Sequence, residues 1–111
     1  MNIYKANGHS ADSVAGMLEA WYNAHRSTDD SKDRFYCGMA RDPEERISDH
    51  EREDHAGRDI QLAVAYECDS MEIAGEVETL MRQRQFDIGM TCREANGAAE
   101  DSKYVYLYRK P

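Results

Sequence analysis

The stretch Arg34-Phe-Tyr-Cys-Gly-Met-Ala40, followed at once by Asp42-Pro43-Glu44-Glu45, decides how this chain is read. Phe35, Tyr36, Cys37 and Met39 make an apolar run of strand length, in residue types that suit a pleated, half-buried surface. Asp42 is then a natural helix cap, Pro43 fits the first helical position, and Glu45 completes a capping box. The helix so started extends to about Asp54, and Gly57 ends the segment. A strand that runs directly into a capped helix predicts a chain of alternating elements.

Working outward, residues 2 to 6 read as a short strand stopped by Asn7-Gly8. Ser10 or Asp12 caps a helix to about residue 26, where Val14, Met17, Leu18, Trp21, Tyr22 and His25 form one broad face. Trp21 and Tyr22 are expected to pack inward. Ser27 to Asp33 is polar and reads as a loop. On the other side, Ile60 to Glu67 alternates like a strand. Asp69 with Glu72 offers another capping box, before a helix carrying Ile73, Ala74, Val77, Leu80 and Met81 and ending near Gln85. Phe86 to Met90 reads as a short strand or turn, Glu94 to Ser102 as a loop. Tyr104 to Tyr108 is a final strand of β-branched and aromatic residues. The sum is one mixed α and β domain over residues 1 to 111, a small sheet with helices packed on it.

The chain has 111 residues, 41% of them hydrophobic and 32% charged, which suffices for one core. No apolar run is long enough to span a bilayer, and Met1-Asn-Ile-Tyr-Lys5 lacks a signal-peptide pattern, so a cytoplasmic location is the expectation. Cys37, Cys68 and Cys92 are widely spaced with no CxxC pair, and read as reduced, partly buried thiols. The net charge of -8 argues against a globally basic nucleic-acid footprint. Residues 42 to 59 hold eight acids against Arg46, Arg52 and Arg58.

Three groups stand out chemically. Glu78 falls inside the helical stripe of Ala74, Val77 and Met81, where a carboxylate calls for a cation, donor or metal unless it reaches water at the stripe's edge. Arg46 and His50 lie four apart and share a helix face beside Ile47. A guanidinium donates two coplanar bonds to a phosphate, and an imidazole serves as base or donor. Tyr36 neighbours Phe35 on its strand, so one ring faces the core and the other faces away. His50 and His55 are five apart instead of the four of a zinc-binding helix pair, which puts them on different helix faces.

Taken together these residues resemble the GIY-YIG nuclease family. Tyr36-Cys37-Gly38 resembles its second motif, Arg46 stands at the family's distance from that glycine, and His50 follows one turn later. Ala74 and Glu78 match the family's Ala-x-x-x-Glu helix. The match covers roughly residues 34 to 85. The first motif is met only by Asn2-Ile3-Tyr4-Lys5, some thirty residues upstream, with a helix inserted in what would be the hairpin. The resemblance implies a small, mainly antiparallel central sheet flanked by helices. It implies catalytic roles for Tyr4, Tyr36, Arg46 and His50, and a divalent metal, Mg2+, held by Glu78. The partner is then DNA. The alternative is a catalytically inactive module of this fold, of phage or mobile-element origin, that binds another protein, and the acidic balance favours it.

Overall fold

The computed structural model describes residues 1–89 and 102–111, and Cys92 with most of the expected loop lies outside them. The chain forms an α+β fold in the order β1 (Asn2–Lys5), α1 (Ala11–His25), β2 (Phe35–Ala40), α2 (Pro43–Glu53), β3 (Ala63–Glu67), α3 (Met71–Gln83) and β4 (Tyr104–Arg109). A single 3-10 turn, Lys32–Arg34, leads into β2. The third strand is shorter than its alternation suggests, since Ile60 and Gln61 precede the ladder.

The caps are local chemistry. Ser10 accepts a bond from the Ser13 N–H, and Asp42 accepts from the Glu45 N–H at 3.2 Å. At α3 the expectation needs correction. Ser70 caps by accepting from Ile73, while Asp69 reaches back to accept from the Gly8 N–H at 2.9 Å and from Asn7. That carboxylate ties the turn after β1 to the start of α3.

The strands lie in the order β1-β3-β4-β2. The inner pairs β3–β4 and β4–β2 are antiparallel and β1–β3 is parallel. The last strand of the sequence is therefore central, and the first two occupy opposite edges. The hairpin implied for β1 and β2 does not form. A 15-residue helix carries the chain back along the sheet, so β2 starts from the same end as β1 and runs in the same direction.

Alternation then assigns faces. In one register row Val64, Leu107 and Cys37 turn to α1 and α3, which pack with Val14, Leu18, Phe35, Val77 and Met81 into the main core. In the next row Ala63, Tyr108 and Tyr36 turn the other way, where α2 lays Ile47 over Ala40, Ala65, Tyr106 and Tyr108. Each fully buried aliphatic of the main core contributes about 1.5–3 kcal/mol, which makes that face the principal source of stability. Trp21 and Tyr22 pack on Phe35 as expected, Tyr22 edge-on at 4.9 Å. Beyond β2, Asp87 pairs with Tyr36 through a single parallel bridge.

Candidate functional site

The α2 face of the sheet carries four rings in mutual contact. Tyr36, Tyr106 and Tyr108 come from adjacent strands, and His50 drops onto them from α2. The Tyr36 and His50 ring centres are 4.9 Å apart. Gly38 makes this possible. A side chain there would drive its Cβ into the Tyr106 hydroxyl and ring, so the glycine of the Tyr-Cys-Gly stretch leaves the space the Tyr106 ring occupies. Gly89, at φ +63, plays a similar part beside the Tyr36 ring.

His50 is 3% exposed and both its ring nitrogens are engaged. Nδ1–H donates to the Asp54 carboxylate at 2.6 Å, and Nε2 accepts from the Tyr106 O–H at 2.7 Å. This assignment satisfies both partners, the buried Tyr106 hydroxyl and the exposed Asp54 carboxylate, with a neutral imidazole. Burial pushes the His50 pKa down, Asp54 opposing and Arg46 assisting. An imidazole closed in this way positions Tyr106, and the role of base expected of it requires a nitrogen that the fold has already committed. His55, just past the end of α2, bonds the Tyr108 hydroxyl at 2.9 Å. Leaving the helix before residue 55 lets both histidines reach the same sheet face, which helical spacing alone would forbid.

Tyr36 is the partly accessible member of the cluster. Burial and the negative charge of Glu78 push its pKa up to about 12, and the positive charge of Arg46 opposes them. The phenol therefore keeps its proton at neutral pH and acts as a donor. Arg46 is half-exposed on α2 and only loosely paired, with Asp49 at 3.9 Å. Glu78 is half-buried on α3, and its charge also raises the pKa of Cys37, behind burial. A cation from one side of the sheet and an anion from the other thus both act on the end of β2.

Tyr4 does not join them. It sits opposite Tyr66 in the register row that continues to Val105 and Met39, which is the α1/α3 face, and its ring lies tilted against Tyr66 at 5.4 Å. Pairing at the far edge of the sheet puts it on the opposite face from Tyr36, with two strands between them. Spacing singled out neither Tyr106, Tyr108, Asp54 nor His55. The alternation of Tyr104, Tyr106 and Tyr108, and the four-residue step from His50 to Asp54, were the available signals. No group of three or more His, Cys, Asp or Glu side chains among the described residues is arranged to hold a metal. No family model, curated protein or solved structure matches the chain. No helix among the described residues is long and apolar enough to cross a membrane.

Proposed function

We propose that the chain is a small metal-dependent nuclease of the GIY-YIG type, cutting phosphodiester bonds of DNA at the Tyr36 end of β2. The observation that carries this reading is the joint action of Arg46 and Glu78 on one phenol. A protonated tyrosine with a guanidinium and a carboxylate each in electrostatic reach of it supplies groups that a phosphodiester cut at neutral pH uses. Arg46 binds the non-bridging oxygens and offsets the charge that builds on them. Tyr36 donates its hydroxyl proton in a hydrogen bond to the phosphate or to the attacking water.

A single carboxylate fits Mg2+, a hard ion that keeps most of its waters and takes its remaining ligands from phosphate oxygens. Glu78 suits that role, because its charge is already felt at Tyr36 and Cys37. The ion, when bound, supplies a Lewis acid that makes water more acidic and the phosphate more electrophilic. The antiparallel tyrosine strand that the family places beside its second motif has a counterpart in β4, which sets Tyr108 directly opposite Tyr36. In this reading Tyr106 and Tyr108 take over the place first expected of Tyr4, behind Tyr36 and held by His50 and His55.

A second reading, an inactive module of the same fold that binds a protein, draws on a different observation. The net charge is -8, and the acid-rich segment 42 to 59 belongs to α2 and the loop that follows it. The test is incubation with supercoiled plasmid, with and without Mg2+, beside Glu78→Gln and Arg46→Ala. Nicking that needs the metal and is lost in both variants supports the nuclease. Absence of any cleavage with Mg2+ or Mn2+ leaves the second reading.

A further inference from the structure

The described large hydrophobic side chains that stand exposed are Met1, Ile3 and Tyr4, at 45%, 41% and 46% of their free surface. All three belong to β1 or adjoin it, and β1 is an edge strand. The Ala6 N–H points inward to the Glu67 carbonyl at 2.8 Å. Backbone groups alternate along a strand, so Ile3 and Lys5 present their N–H and C=O groups outward. Among the described residues no strand pairs with that side. Apolar side chains on both faces of an edge with outward donors and acceptors are what a further strand covers, and natural proteins normally blunt such an edge.

We propose that this edge pairs with its own copy, β1 against β1 in antiparallel sense, joining two four-stranded sheets into one about a two-fold axis at Tyr4. The backbone permits this register. Only odd-numbered residues bond outward, and a two-fold axis at Tyr4 sets Ile3 of one copy against Lys5 of the other in a hydrogen-bonded pair, twice over. Tyr4 then faces Tyr4 in the non-bonded position between them, where side chains approach most closely. Each Tyr4 already lies against its own Tyr66, ring centres 5.4 Å apart, so four tyrosines line up across the joint. The register also sets Lys5 against Ile3, with no two like charges directly opposed.

Charge favours this edge for self-association. The first eleven residues contain no Asp or Glu, while the whole chain carries -8. At β1 two copies of this acidic chain meet across a stretch that itself carries no acid, where their mutual repulsion is small.

Sedimentation velocity over a wide range of concentrations tests the proposal. The expected result is a species of twice 12.7 kDa that grows with concentration and with added salt. Tyr4→Lys puts two ammonium groups face to face, and Lys5→Pro removes an outward N–H from each copy while leaving the bonds to β3 in place. Each should weaken dimerisation by about tenfold or more. Far-UV circular dichroism and thermal melts confirm that both variants fold, since these side chains are exposed. A monomer at every concentration overturns the proposal. A dimer that persists undiminished in both variants overturns it as well, because it would be held together elsewhere.

Discussion

At the scale of single residues, Gly38 and His50 carry the most argument. Gly38 is a glycine for steric reasons, since the Tyr106 ring fills the space of its side chain. That ring cannot retreat, because it is buried and its hydroxyl is bonded to His50. Gly38→Ala should therefore destabilise the fold by about 2–3 kcal/mol through overpacking, read as a lower urea midpoint with unchanged slope. His50 is held neutral, with its pKa below the ordinary histidine value, mainly by burial. In the unfolded chain it takes up a proton at the ordinary value, so between the two pKa values the unfolded state binds more protons. This contribution to stability is fully present above the ordinary histidine pKa and is lost as pH falls below it. Between about pH 7 and about pH 5 the urea midpoint should fall, and His50→Gln should fall less over the same interval. A variant that tracks the parent across the window would mean that His50 is protonated in the fold. Tyr106→Phe adds a check on the same bond: it strands the buried Nε2 acceptor, at a cost of about 1–3 kcal/mol.

At the scale of elements, helix starts were legible because capping is a local signal. Asp42 caps where the residues alone place a cap, and of the two candidates Ser10 and Asp12 it is Ser10 that caps α1. Asp42→Ala should accordingly cost about 1 kcal/mol, seen as a lower thermal midpoint. Asp69→Ala tests a connection that no local signal revealed. It frees the turn at Gly8 from the head of α3 and leaves the Ser70 cap intact, so the loss should appear as faster amide exchange at Gly8 and not at Ile73. The same contrast explains the site. That Tyr36 lies on a strand, and that Arg46 and His50 share a helix, is written in spacings of two and four. Strand order is not written there, because alternation says which side of a strand is buried and nothing about its neighbour. A hairpin of β1 and β2 would set Tyr4 beside Tyr36, but β1 pairs with β3 at the opposite edge, which turns Tyr4 to the other face. Tyr106 and Tyr108 were hidden for the same reason, since the fold inserts the last strand into the middle of the sheet.

At the scale of the whole molecule, charge decides how a nucleic acid would meet this site. Eight acids and three arginines between residues 42 and 59 leave that segment at -5, out of -8 for the chain. The segment comprises α2 and the loop that follows, and α2 is the helix that supplies Arg46. A duplex approaching Arg46 therefore meets repulsion at long range and attraction only at contact. For most DNA-binding proteins affinity falls steadily with salt, because binding releases condensed counterions. Here the first effect of salt is to screen the repulsion, over a Debye length of about 10 Å at 0.1 M. The rate of plasmid nicking at fixed Mg2+ should consequently rise as NaCl goes from about 10 mM to about 100 mM, and fall at higher concentrations as the Arg46–phosphate contact weakens. Glu44 and Glu53 are exposed at the two ends of α2, and neutralising both with Glu44→Gln and Glu53→Gln should raise the low-salt rate and flatten the rise. A rate that only declines with salt, in the parent and the variant alike, would mean that the substrate approaches from a side the acids of α2 do not face, and the position assigned to Arg46 in the reaction would fall with it.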